Sequence, residues 1–418
     1  MERNAGLIYP EDRLPPVKTA IAGAQHVVAM FGGTVLCPLL IGFDPNTTVF
    51  FSGIATLLFF LIVRGKVPSY LGSSFSFIAP VIAATGYGGS GPNLHIALAL
   101  GGIVAAGAVY GAIALIVMIA GHRWIEKLMP PVLTGAVVAA IGLNLAPVAV
   151  NDAGKSAFDI GFALFTVLCV ALSAVFLPKF LARLPILIGG GVAYGAYYAL
   201  CNIKNYDKPI DFSGVISAAW IGLPHFATPV FEPRAMLLIA PVAIILVAEN
   251  LGHIRGIAAM TGRDLDPMLG RAFLADATAT MLSGAAGGTG VTTYAENMGV
   301  MAITKNFSSL TFVAAGIFAV LLGLSPKFGA LIETIPGPMI GGLSIVVFGL
   351  ITATAGRIWV DNKVDFTDAK NMTVVGAVTV IGAGNMSVNL GPFALGGIAL
   401  SVLVALVLYH LLNLRKSA

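Results

Sequence analysis

The chain has 418 residues, of which 57% are hydrophobic and only 10% charged, and its mean hydropathy is +0.93. Soluble domains carry about 25% charged residues, so the composition excludes a soluble globular protein and makes the membrane span the natural unit of length. The net charge of +4 requires no nucleic-acid partner, because the basic residues fall between the apolar stretches.

Residues 1–16, "MERNAGLIYPEDRLPP", are charged and proline-rich, with no apolar h-region and no cleavage site. They are expected to form a short cytoplasmic tail, not a signal peptide. Stretches of about 20 apolar residues can cross the hydrocarbon core. They follow at 17–41, 47–63, 70–86, 95–120, 130–149, 157–177, 184–202, 234–254, 267–286, 289–304, 308–325, 337–355, 367–384 and 393–413. The longest polar segment is 203–233, and no separate soluble domain fits. With both termini inside, all of the 23 Lys and Arg except Lys155, Lys204, Lys208, Arg234 and Lys327 lie on the cytoplasmic side. That split obeys the positive-inside rule and supports fourteen segments. Cys37, Cys169 and Cys201 sit in apolar segments without metal spacing and are expected as small buried hydrophobes.

"PVLTGAVVAAIGL" (131–143) and "PMIGGLSIVVFGL" (338–350) share Pro, Gly, Gly and Leu at equal offsets. They are the fifth and twelfth segments, seven apart. Seven crossings are an odd number, so the second copy begins on the opposite face and the halves form an inverted repeat.

Two segments break the helical pattern, the third and the tenth, again seven apart. "YLGSSFSFIAP" (70–80) alternates aromatic and small polar residues before a Pro. "GGTGVTTYAENMG" (287–299) runs from glycines through Val-Thr-Thr into Tyr-Ala-Glu-Asn. Each predicts a short extended strand followed by a half-helix. Unpaired backbone survives at membrane depth only where protein or a wet cavity satisfies it, and paired interrupted segments point to a transporter's binding site.

The tripeptide Ala-Glu-Asn occurs twice, at 248–250 and 295–297, in a chain with few Glu. Glu249 lies one helical turn before His253, so the two share a face. Glu296 follows the break in the tenth segment, where a cap on the half-helix is the alternative role. Intramembrane carboxyls are costly and face the interior. A Glu near mid-membrane can hold a proton at neutral pH and release it when its surroundings change, which is the chemistry of proton coupling. Asp276 suits either function or helix–helix bonding, and Gln25–His26 either an orienting role or a satisfied core pair. Asn144 favours bonding a neighbour over lining a cavity. "GYGGSG" (86–91) falls in an expected external loop with no acid about 20 residues on, so it is not a dinucleotide site. No nucleophile–base pair or metal constellation marks an enzyme.

The stretches "AQHVVAMFGGTVLCP", "PSYLGSSFSFIAP", "VAENLGH" and "TTYAENMGVMAITK" resemble the nucleobase–cation symporter-2 family, the nucleobase–ascorbate transporters. The family signature reads here as Glu296, Asn297, Gly299, Thr304 and Lys305. Within the family the chain is most similar to bacterial uracil permeases. The resemblance implies an all-α polytopic membrane protein of 14 transmembrane segments in two inverted 7-segment repeats, with short strands in segments 3 and 10. It implies a core domain at 17–128 and 234–328, a gate domain at 129–233 and 329–418, and a homodimer through the gate domains. It implies Glu249 and Glu296 as the carboxylates that hold the base, and backbone amides of Phe75 and Ala295 that reach it. Tyr294 would line the pocket, Phe348 would face it from the gate, and His253 would take part in proton coupling. The expected activity is proton-coupled import of uracil across the inner membrane by alternating access, with no cofactor or metal. A purine or xanthine symporter of the same fold is the alternative, and an anion transporter is disfavoured by two Glu in the site.

Overall fold

The computed structural model describes residues 6–89, 91–178, 181–390 and 393–414; residues 1–5 of the expected N-terminal tail and the basic residues Lys179, Arg415 and Lys416 lie outside the described residues. In chain order it runs α1 (Pro16–Ile41), α2 (Pro45–Ile62), β1 (Leu71–Ser73), a 3₁₀ turn at Phe75–Phe77 and α3 (Ile78–Thr85). There follow α4 (Ile96–Ala120), α5 (Arg123–Leu128), α6 (Pro131–Asn144), α7 (Ala146–Asp152), α8 (Ala157–Phe176) and α9 (Pro185–Tyr198), which a π turn extends to Ile203. The second half holds α10 (Ser213–Ser217), α11 (Pro233–Ile239), α12 (Val242–Thr261), α13 (Leu269–Ala285), β2 (Val291–Thr293) and α14 (Ala295–Thr304). It closes with α15 (Ser309–Gly323), α16 (Pro326–Glu333), α17 (Gly337–Asp361), α18 (Ala369–Ala383), the hairpin β3 (Val388–Leu390) and β4 (Phe393–Leu395), and α19 (Gly397–Leu414).

Local sequence explains where these helices begin and end. Proline occupies the first turn of α1, α2, α6, α9, α11, α16 and α17, where its missing N–H is one of those left unbonded anyway. The Asp44 side chain caps α2 by accepting from Asn46 N at 2.7 Å, and Ser156 and Asp159 form a reciprocal capping box on α8. Gly42, Gly86 and Gly262 close α1, α3 and α12 in the left-handed conformation.

Among the described residues nine helical units are long and apolar enough to cross a membrane, and a tenth if α15 and α16, bent 78° apart, count as one. The protein is therefore a multi-pass membrane protein. Its helices pack as two clusters: α1, α2, α4, α13 and α15 in one, and α6, α8, α9, α17, α18 and α19 in the other. Close helix crossings rest on small residues, as lipid-embedded packing favours. Gly53 of α2 meets Gly316 and Val320 of α15 so tightly that a methyl there would lie 2.6 Å from the Gly316 carbonyl oxygen.

The three cysteines are free and buried, as expected. Two segments carry structure that the sequence reading does not assign. The polar segment 203–233 contains α10, and residues 219–230 bond backbone-to-backbone along the ends of α4, α13, α15 and α16. The N-terminal segment packs on the bundle: Ile8 bridges to Asn306 in parallel fashion, and Tyr9 is buried. One end of the bundle thus gathers residues 8–12, 64–65, 122–126, 255–266 and 305–309. The other gathers Asp44, Asn93, His225 and Lys327.

Candidate functional site

The two interrupted segments meet. β1 and β2 pair antiparallel in the register Leu71↔Thr293, Gly72↔Thr292 and Ser73↔Val291. Tyr294 N donating to Tyr70 O (3.0 Å) and Ser74 N donating to Gly290 O (2.9 Å) lengthen the ladder. A two-stranded sheet has two open edges, which cannot face lipid. Neighbouring side chains close them: Leu71 N donates to Thr56 Oγ1 (2.9 Å), Val291 N to Thr280 Oγ1 (3.3 Å), and Ser283 Oγ to Thr289 O (2.6 Å). Ser73 Oγ and Thr289 Oγ1 join the segments at 2.7 Å.

Because the strands are antiparallel, the chains leave the ladder in opposite directions, one into the 3₁₀ turn and α3, the other into α14. The first N–H groups of a helix have no intrahelical acceptor. Phe75 and Ala295 occupy those first positions, and Tyr294, at the cap of α14, supplies no side-chain bond to that turn. Ala295 and Glu296 are exposed to open space. Ser74 Oγ accepts from Ser76 N (3.4 Å), but the Phe75 and Ala295 N–H groups have no acceptor among the described residues, so two N-termini with spare donors and favourable dipoles flank the ladder.

Glu249, on α12, approaches the same spot. α12 packs against the 3₁₀ turn at Phe75–Phe77, β2 and α14, which sets Glu249 beside the ladder. Glu249 Oε2 and Thr292 Oγ1 are buried without a protein partner among the described residues. Buried polar atoms are normally bonded, so the Glu249 carboxyl retains capacity for a polar ligand. His253, one turn on, directs Nδ1 to Thr293 Oγ1 at 2.8 Å and so ties α12 to β2; no bond joins it to Glu249 among the described residues. From the other helix cluster Phe348 of α17, itself buried, meets Phe75 edge-on with ring centroids 6.2 Å apart and planes at 84°. The geometry thus brings together Glu249, Glu296, Phe75, Ala295, His253 and Phe348.

Tyr294 packs against the ladder. Its ring is buried behind the ladder, where its hydroxyl donates to Ser73 O (2.8 Å) and accepts from Thr34 Oγ1 (3.1 Å). Room for that ring comes from Gly33 and Gly72, whose Cα atoms face it directly. The sequence held this signal in its glycines, but a glycine does not name what it faces.

Other intramembrane polar residues bond neighbouring helices, although Asn250 Oδ1, Asp276 Oδ1 and Asn297 Oδ1 also lack a partner among the described residues. Asn297 Nδ2 donates to His26 O (2.9 Å) and meets its Nδ1 (3.0 Å), fixing α14 to α1. Asn250 Nδ2 donates to Asp276 Oδ2 (2.9 Å) and Tyr110 OH (3.0 Å), and Asn144 Nδ2 to Gly382 O (2.6 Å). Among the described residues no group of three or more His, Cys, Asp or Glu is arranged to hold a metal ion.

A family sequence model described as "Permease family" matches residues 17–391. The RutG protein of Escherichia coli (strain K12), whose name describes it as a pyrimidine permease, is 58% identical, the match covering 98% of this chain and 92% of that protein. The uracil permease of Bacillus caldolyticus is 39% identical, over 94% of this chain and 92% of its own. Among solved structures, the transmembrane domain of the cyanobacterial bicarbonate transporter BicA superposes with a TM-score of 0.64 at 16% identity, over 96% of this chain and 98% of that one. SLC26A9 gives 0.68 at 13% identity, over 96% and 65%. At such identities the structures establish the fold alone. The sequence relatives are named as permeases and not enzymes. With most of its length matched and the interrupted pair of segments at its centre, the chain belongs to this permease family, the nucleobase–cation symporter-2 transporters.

Proposed function

We propose that this protein carries a pyrimidine nucleobase, uracil or a close analogue, together with a proton across the inner membrane. The observation that carries the reading is the packing of α12, which bears the buried and unpartnered Glu249 Oε2, against the N-terminal turns at Phe75 and at Ala295–Glu296. A pyrimidine edge alternates N–H donors with carbonyl acceptors. Carboxylates accept from the N–H groups, and free backbone amides donate to the carbonyls. A site built this way discriminates strongly against analogues that lack those groups. The relatives' names point to the same ligand class.

In this reading the chain makes fourteen segments in two inverted repeats, with both termini cytoplasmic. The cluster containing the ladder is the core domain, and the cluster containing α17 is the gate. Transport proceeds by alternating access as the core moves against the gate, and a homodimer forms through the gate domains. The proton resides on the Glu249–Glu296 pair, and His253 responds to it through Thr293, the residue paired with Leu71 in the ladder. A purine substrate is not favoured, since the named relatives are pyrimidine and uracil permeases.

The test is uptake of labelled uracil into proteoliposomes by Glu249→Gln and Glu296→Gln. Each substitution keeps the shape of the side chain but removes its charge and proton. Loss of uptake in both is expected, and near-normal uptake in either overturns the carboxylate assignment.

A further inference from the structure

The N-terminal segment is bonded to the residues that immediately follow the two helices bearing the proposed carboxylates. At the end of α14, Ile8 N donates to Lys305 O (2.9 Å) and Phe307 N donates to Ile8 O (2.8 Å). At the start of α15, Ser309 N donates to Pro10 O (3.0 Å) and Ser308 Oγ to Asp12 O (2.6 Å). Just beyond α12, Arg263 grips Glu11 with both guanidinium arms, Nη1 to Oε2 at 2.8 Å and Nη2 to Oε1 at 2.5 Å. The same guanidinium lies 4.6 Å from the centroid of the buried Tyr9 ring. A single surface ion pair adds little, but a two-point Arg–carboxylate pair stacked on an aromatic face is geometrically specific.

We propose that Ile8–Asp12 is a positioning clamp for the substrate site, fixing α12 and therefore Glu249 relative to α14 and therefore Glu296. The lever arms make this effective. Glu296 stands eight residues from the end of α14, about 12 Å along the axis, and Glu249 about 18 Å from the end of α12. A tilt of about 5° at the clamped end would move either carboxylate by about 1 Å or more, enough to spoil a preorganised polar site. Glu11, Arg263 and Tyr9 are positioning residues that never touch the substrate. The clamp rests on the proposed site, and its test separates the two.

The experiment compares wild type with Glu11→Ala, Arg263→Ala and the charge-swapped E11R/R263E, measuring labelled uracil uptake per reconstituted transporter. The single variants should raise KM by about three- to tenfold while leaving maximal rate nearly unchanged, since a loosened clamp lowers the fraction of competent sites. The swapped pair should recover most of the lost affinity. Unchanged KM in both single variants, a swap no better than either, or a fall in protein amount alone would overturn the clamp. A second measurement does not depend on the substrate. Nitroxide labels at the exposed Ala259 of α12 and Ala302 of α14 should report one narrow separation in wild type and a broadened one in Glu11→Ala. An unbroadened separation refutes the clamp even if uracil proves to be the wrong substrate. Conversely, if Glu249→Gln and Glu296→Gln transport normally while the separation broadens, the site reading fails and the clamp stands.

Discussion

Gly72→Ala tests whether the strand ladder is as tightly backed as its hydrogen bonds imply. Gly72 is the middle residue of β1, opposite Thr292. An added Cβ would lie 2.6 and 2.8 Å from two carbons of the Tyr294 ring and closer still to Thr34 Oγ1. The ring cannot simply turn aside, because Ser73 O and Thr34 Oγ1 hold its hydroxyl on one side and Gly33 crowds it on another. Forcing in a methyl costs about 1–3 kcal/mol of overpacking. Breaking the Tyr294–Ser73 bond inside the protein adds about 1–3 kcal/mol. The total of about 2–6 kcal/mol, set against an unfolding entropy of roughly 0.9 kcal/mol/K for a chain of this length, lowers the melting temperature by about 2–7 °C. The assay is thermal unfolding of purified protein, with Gly161→Ala as control because nothing lies within 4 Å of its added Cβ. The control should shift by about 1 °C or less, a glycine-to-alanine change in a helix being mildly favourable. A Gly72→Ala protein that melts with the control and transports normally would refute the packed-ladder account.

Two further substitutions probe the site. His253→Ala removes the Thr293 contact and is expected to flatten the dependence of uptake on pH more than it weakens competition by unlabelled uracil; an unchanged pH profile refutes the role. Phe348→Leu keeps an apolar side chain but removes the edge-on ring contact with Phe75, worth about 0.5–1.5 kcal/mol. It should raise the uracil KM by about two- to tenfold, and an unaltered KM would show that the contact does not shape the site.

Much of the ladder was legible in the sequence because its chemistry is local. The small polar run after Tyr70 and the β-branched run "VTT" favour extended backbone, although the strand stops at Ser73 and Phe75–Phe77 turn into a 3₁₀ helix, and the helix-forming Ala-Glu-Asn-Met restarts the helix after the second strand. The pairing partner was not legible, because a three-residue strand carries too little pattern to specify register. Nor was the direction of Tyr294, which depends on two glycines from different segments, Gly33 and Gly72. His253 shares a helical face with Glu249, as its spacing requires, yet its bond goes to Thr293, since a neighbouring strand competes for the ring nitrogen. In the N-terminal segment Tyr9 finds burial and Glu11 finds Arg263 only through tertiary contacts, which composition does not show. The β3–β4 hairpin and the 78° bend between α15 and α16 fall at glycine, proline and polar positions that a hydropathy reading passes over as span ends.

The most direct measurement is uptake by wild-type protein in proteoliposomes under an imposed pH gradient, acid outside, against a panel of unlabelled nucleobases. The account predicts uracil accumulation that collapses with a protonophore and is competed by pyrimidines and not by xanthine. Accumulation that ignores the pH gradient but follows sodium, or that xanthine displaces more strongly than uracil, would contradict it.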